Sequence, residues 1–217
     1  MQSRTVHIYW AEYERHLPAV SQVGLHLSAT VQRRWQQYRT AQQQNMSLLA
    51  KRLLLHGLRQ LRWRMTDGLA DFCHHPNGKP YLAHLPIHFS LSHSRQVAVC
   101  AISADEPVGI DIQEQLPTPQ ESESLFLTSL EQQQAGPENR LVLWCRKEAA
   151  YKAMGYELGA RLSDFQFAGP LRVDCPPVTL QLIPQTIRPD YVCYLAVPIT
   201  DQPAPVHITI EHVPYPY

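Results

Sequence analysis

Apolar and polar residues alternate at the start of the chain. Val6, Ile8 and Trp10 are separated by His7 and Tyr9, a period of two that predicts a first strand with one face on a core. A loop containing Pro18 and Gly24 follows. Ser28 is placed to cap a helix running to about Arg39, and a second helix is predicted over residues 45–63. There Met46, Leu49, Leu53, Leu58 and Leu61 recur at helical spacing, which leaves Lys51, Arg52, Arg59 and Arg62 as a solvated face. Residues 42–44, three glutamines, read as a short polar join between the two helices.

The pattern then turns to strands. Asp67-Gly68 and Asn77-Gly78 are turn dipeptides, and Pro80 stiffens the second, so Lys79 is expected on an exposed turn. Ile87, Phe89 and Leu91 alternate with His88, Ser90 and Ser92, a half-buried strand ending in Ser92-His93-Ser94. Residues 97–102 are apolar on both faces and fit a central strand paired to it. In residues 108–113, Ile110 and Ile112 face one way, Asp111 and Gln113 the other. Pro117 and Pro119 suggest a linker, and residues 126–131 start or lie in a helix. Gly136-Pro137 and Gly155 bracket a further helix over residues 137–154, with Leu141, Cys145 and Ala149 toward a core. Trp144, Glu148 and Lys152 share another face of it. Strands are predicted at 165–167, 178–183, 191–197 and 206–213. The fold class is thus mixed α/β (α+β): strand, helices and strands recur in both halves, with no convincing sequence repeat between them.

Composition narrows the functions. Lys plus Arg equals Asp plus Glu, at 19 each, so no bulk charge draws the chain to nucleic acid or an acidic membrane, and any bound anion needs a local cluster. No apolar run approaches the roughly 18 residues of a membrane span, and the N-terminus lacks the apolar core of a signal peptide. The five cysteines are odd in number and widely spaced, which fits reduced thiols in a cytoplasmic protein.

Candidate chemistry is sparse. His84 and His88 have the spacing of a helical metal-ligand pair, but Pro86 lies between them in a strand-like segment. Ser92 and His93 are adjacent on a strand and point to opposite faces, so they cannot share a hydrolytic triad. Glu148 and Lys152, taken alone, read as a solvated helix pair. Set beside Asp111 and Gln113 they read differently. Two carboxylates from separate elements with an amide nearby suit magnesium, which takes few protein ligands and keeps waters and phosphates for the rest. Lys79, His93 and Lys152 can supply positive charge to such phosphates. That assembly favours phosphoryl transfer.

Three segments carry a family resemblance: Phe89-Ser-Leu-Ser-His-Ser94, Val108-Gly-Ile-Asp-Ile112 and Trp144-Cys-Arg-Lys-Glu-Ala-Ala-Tyr-Lys152. In order and separation they resemble the signatures of 4′-phosphopantetheinyl transferases of the surfactin type. Gly78-Lys79-Pro80 resembles that family's Gly-Lys/Arg-Pro turn, and residues 126–131 its Phe-x-Ser/Thr-x-x-Glu segment. The resemblance covers about residues 78–155. It implies a monomer of two similar lobes related by a pseudo-twofold, each a small sheet packed with helices, with the active site between them. The expected lobes are 1–105 and 106–217, the second carrying most of the metal and catalytic residues. The implied reaction moves the phosphopantetheine arm of coenzyme A onto a serine of an apo acyl, peptidyl or aryl carrier protein and releases 3′,5′-ADP. By the same resemblance, Asp111, Glu148 and Gln113 hold Mg2+, and Glu148 takes the serine proton. Lys152 grips the pyrophosphate, while Lys79, Ser92, His93 and Arg34 bind the coenzyme's phosphates.

One position departs from the pattern. Many members have a second acid two residues after the aspartate, where this chain has Gln113. A carbonyl oxygen remains but one negative charge is lost, which predicts weaker magnesium binding, with a water or Glu114 compensating in part. The same position is the only sequence support for the alternative, a non-catalytic regulator that binds coenzyme A or carrier protein. A magnesium-dependent hydrolase of nucleotide-like anhydrides is a third expectation.

Overall fold

The computed structural model describes residues 4–13, 25–64, 67–76, 78–115, 127–134, 136–155, 161–162, 165–169, 171–200 and 204–214. The expected loop at Pro18 and Gly24, the linker at Pro117 and Pro119, and Phe126 lie outside them. In chain order the first elements are β1 (Arg4–Glu12), α1 (Ala29–Gln36), α2 (Ala41–Gln60), β2 (Phe72–His74), β3 (Pro80–Leu82), β4 (His88–Ser94) and β5 (Val97–Ser103). They are followed by β6 (Gly109–Glu114), α3 (Ser129–Gln134), α4 (Pro137–Met154), β7 (Gln166–Phe167), β8 (Arg172–Cys175), β9 (Val178–Pro184), β10 (Tyr191–Pro198) and β11 (Val206–His212). The chain forms two compact units, Met1–Glu106 with Ala204–Tyr217, and Pro107–Pro203.

The first unit is built on a four-stranded sheet of order β11-β1-β5-β4. β11 pairs parallel to β1, with Ile8 opposite Ile210, and β5 pairs antiparallel on the other side, with Ile8 opposite Ala101. This pairing corrects the expected boundary: residues 204–214 pack with the first unit, because β11 extends the sheet along the outer edge of β1. Being an inner strand, β1 buries residues of both faces, with Ile8 and Tyr9 both nearly inaccessible.

α2 lies on this sheet through Leu49, Leu53 and Leu58, in one apolar cluster with Tyr9, Phe89, Cys100 and Ile102. A methyl added at Gly57 would fall 2.5 Å from a Tyr9 ring carbon and 2.6 Å from Ile102 Cδ1, so this glycine sets how closely helix and sheet approach. Two expectations change here. Residues 42–44 are helical, because Thr40 and Gln43 form a reciprocal capping box that starts α2 four residues early. Lys51 and Arg52 are buried rather than solvated. The Lys51 ammonium donates to Ser47 Oγ at 2.8 Å and to Ser47 O at 3.3 Å, and burial pushes its pKa down to about 8, with Arg34 adding to the effect. α1 starts as expected, with the Ser28 hydroxyl accepting from the Val31 N–H at 3.4 Å.

The second unit is a five-stranded antiparallel sheet, β6-β10-β9-β8-β7, with α4 packed across β6 and β10. The helix has the predicted limits: Pro137 sits in its first turn and Gly155 closes it at φ 81°. Ala149, Ala150 and Ala153 join Leu180, Leu182 and Val173 in the core. Of the second unit's strands, only β8 was not anticipated. Its four residues do alternate, Arg172 and Asp174 against the buried Val173 and Cys175, but the run is too short to stand out before Pro176-Pro177. Among the described residues no helix is long and apolar enough to cross a membrane, and all five cysteines are free thiols.

Candidate active site

The approach of α4 to β6 determines the site in the second unit. A methyl at Gly109 would stand 2.0 Å from Ala149 O and 2.4 Å from the Ala153 nitrogen, so backbone meets backbone at this point. Gly109 precedes Asp111 by two residues, and Ala149 and Ala153 each follow a site residue by one. Cys145 Sγ ties the same surfaces together, 3.2 Å from Asp111 O and 3.5 Å from Val192 O. Glu148 and Lys152, one helical turn apart, are thereby presented beside Asp111.

The Asp111 side chain is only 2% exposed. A buried carboxylate needs strong partners, and it has them. The Lys152 ammonium donates to Oδ1 at 2.5 Å, and Gln113 Nε2 donates to Oδ2 at 2.9 Å. Glu148 is partly buried. Burial pushes its carboxyl above the ordinary range; the Lys152 ammonium opposes this and the Asp111 carboxylate adds to it. The structure therefore brings Asp111, Gln113, Glu148 and Lys152 together within one unit. The solvated-pair reading of Glu148 and Lys152 fails, because Lys152 pairs with Asp111 across elements.

These residues fit a divalent cation. Among the described residues no three His, Cys, Asp or Glu groups form a ready cage. Burial is the main reason the Glu148 carboxyl is raised, and the Asp111 carboxylate adds to it; a nearby positive charge works against both, as Lys152 does. The Gln113 amide can turn its oxygen toward such a charge. A hard ion that keeps waters and substrate oxygens suits so small a donor set.

Lys79, Ser92, His93 and Arg34 belong to the first unit. Ser92 and His93 sit next to each other near the end of β4, opposite Val99 and Ala98. Lys79 is less exposed than expected, and burial pushes its pKa down to about 8. Gly78, at φ 93°, makes the turn before it, and Arg34 Nη2 would lie 3.8 Å from a methyl there, so α1 brings Arg34 to this turn.

Sequence reasoning missed two residues. Lys147 is fully buried, and its ammonium donates to Glu131 Oε2 at 2.7 Å. The same carboxylate caps α3 by accepting from the Thr128 N–H at 2.7 Å, while the Glu131 N–H donates to Thr128 Oγ1 at 3.2 Å. The signal was the Thr-x-x-Glu spacing together with a lysine directly before Glu148. Gly109 is the second, marked by a glycine inside a strand pattern. Next to Lys147, Arg146 stacks 3.9 Å from the Phe167 ring centroid and donates to Gly169 O at 3.1 Å, which fastens β7 to α4.

Residues 107–206, which include Asp111, Gln113, Glu148 and Lys152, match the family model of the 4′-phosphopantetheinyl transferase superfamily. The match covers a little under half of the chain. A curated 4′-phosphopantetheinyl transferase of Bacillus subtilis is similar over 96 residues at 34% identity, covering 41% of this chain and 42% of the relative. The match thus spans less than half the length of that relative. Within the matched segment, Asp111 stands on β6 with Ile110 and Ile112 buried on either side, and Glu148 and Lys152 stand on α4.

Proposed function

We propose that the chain is a 4′-phosphopantetheinyl transferase that moves the phosphopantetheine arm of coenzyme A to a serine hydroxyl of an apo carrier protein. The observation that carries this reading is the Asp111–Lys152 pair with Glu148 beside it, inside the segment that matches the superfamily. The serine oxygen attacks the phosphorus that bears the pantetheine arm, the phosphoanhydride bond breaks, and 3′,5′-ADP departs with the bonding electrons. Glu148, directly or through a water, accepts the serine proton; a carboxylate whose pKa is raised holds that proton better than an ordinary one. Lys152 donates to the phosphate oxygens and offsets the charge that grows on the leaving group. Asp111 and Glu148, with the Gln113 carbonyl, would hold Mg2+, which supplies charge neutralisation at the pyrophosphate. Lys79, Ser92, His93 and Arg34 are proposed to bind the coenzyme's phosphates. We read the protein as a cytoplasmic monomer of the surfactin-type class, in keeping with its reduced cysteines.

Incubation with coenzyme A, Mg2+ and a panel of apo acyl, peptidyl and aryl carrier proteins tests the assignment. A gain of one phosphopantetheine mass on a carrier is the expected result, and coenzyme A binding with no gain on any carrier would sink it.

A further inference from the structure

Asp111 is already supplied with donors by the chain itself. Oδ1 receives the Lys152 ammonium at 2.5 Å and Oδ2 receives the Gln113 amide at 2.9 Å, while the carboxylate is 2% exposed. A carboxylate offers about four lone-pair positions, so a divalent ion can join these donors on Asp111, but it then shares the carboxylate with them at close range. The Gln113 amide is neutral and can turn its oxygen outward, so it changes from donor to acceptor without leaving the site. Lys152 has no such option. An ammonium has three donors and no acceptor, and it shares the sign of the incoming ion.

The backbone at this point does not adjust. Gly109 leaves no room between β6 and α4, and Cys145 Sγ stands 3.2 Å from Asp111 O. What can move is the lysine stem, whose side chain is 14% exposed against the 2% of its partner. The ammonium sits in the last turn of α4, ahead of the left-handed Gly155, and can swing outward through its own torsions.

We propose that Lys152 and a divalent cation compete for Asp111, and that an anionic phosphate ligand settles the competition by drawing the ammonium away. Cation and phosphate ligand then bind with positive coupling that resides in Lys152, beyond the association they have in solution. The inference rests on the transferase reading only for the identity of the phosphate ligand, coenzyme A.

Mn2+ serves as the probe, titrated by electron paramagnetic resonance into the full chain with and without coenzyme A. In Lys152→Met, Mn2+ binds at least about tenfold more tightly than in the wild type when no coenzyme is present, and the coenzyme-dependent gain shrinks by a similar factor. Lys152→Arg, which keeps the charge and offers Asp111 a forked donor, binds Mn2+ more weakly than the wild type under the same conditions. Circular dichroism and unfolding midpoints establish that both variants are folded, and the arginine variant decides the matter if the methionine variant is not. Unchanged or weaker Mn2+ binding in folded Lys152→Met, or undiminished coupling, overturns the proposal. So does tighter binding in Lys152→Arg. A wild type that transfers the arm yet shows any of these results keeps the transferase reading and loses the competition.

Discussion

At Glu148, function and stability pull in opposite directions. Its carboxyl is raised first by burial and then by Asp111, with Lys152 working the other way. The folded state therefore binds a proton more readily than the unfolded chain does, and stability falls as pH rises from the ordinary carboxylate range through the raised pKa. Glu148→Gln removes that cost. The variant should lose transfer by at least about 100-fold, the usual contribution of a general base. Its melting temperature at pH 7 should nonetheless equal or exceed that of the wild type, with the gain vanishing in acid, where Glu148 itself is protonated. Scanning calorimetry at pH 7 and pH 4 beside a transfer assay checks both halves; a destabilised Glu148→Gln at pH 7 would mark the residue as a structural support. Gln113 raises the companion question of charge. Its Nε2 holds Asp111 Oδ2 where a second acid would add a negative charge to the cation site. Gln113→Glu should lower the magnesium concentration for half-maximal activity by roughly tenfold, about 1.4 kcal/mol, which one added charge a few ångström away can supply. An unchanged magnesium curve would show that position 113 lies outside the ion's reach.

Among the elements, α4 and β6 are legible in the sequence because each carries a simple rule. Proline in the first turn and a left-handed glycine at the end bounded α4, and Ile110 and Ile112 flanking Asp111 gave β6 its pattern. What periodicity could not show was the contact between them, since a glycine's role in close packing leaves no hydrophobic trace. It could not separate Lys51 or Lys147 from solvated lysines either: Lys51 is buried with its ammonium on Ser47, one turn back in the same helix, and Lys147 with its ammonium on Glu131 of α3. The start of α2 was misplaced because three glutamines look like a joint until Thr40 and Gln43 are recognised as its cap. Gly109→Ala tests the contact. The added methyl meets backbone at 2.0 Å and 2.4 Å, which no side-chain rotation relieves. We expect a loss of about 3 kcal/mol, the upper end for overpacking, together with a displaced Glu148 and lower transfer activity. Denaturant unfolding with an unchanged midpoint would mean that β6 and α4 stand further apart than described.

For the molecule as a whole, the chain's path matters more than its composition. After the second unit it returns to complete the first, so residues distant in sequence share one sheet. β11 is held by its backbone ladder to β1 and by polar and aromatic contacts to β1 and α2, rather than by burial of its own side chains. His7 Nδ1 lies 2.8 Å from Thr209 Oγ1, His56 Nε2 lies 3.0 Å from Glu211 Oε1, and the rings of Trp10 and His212 pack 4.2 Å apart, tilted by 30°. Only beyond its end does a residue enter the core, Val213, whose N–H donates to Trp10 O at 2.8 Å. Truncation after residue 203 should accordingly leave α2 on β5 and β4 while stripping one side of β1. Hydrogen exchange is the fitting measurement, because it resolves amides by element. The amides of β1 that pair with β11 should lose protection, whereas those of β9 and β10 should keep it. Equal loss across both units would show that β11 supports the second unit as much as the first, and the division at residues 106 and 204 would then misstate how the molecule is held together.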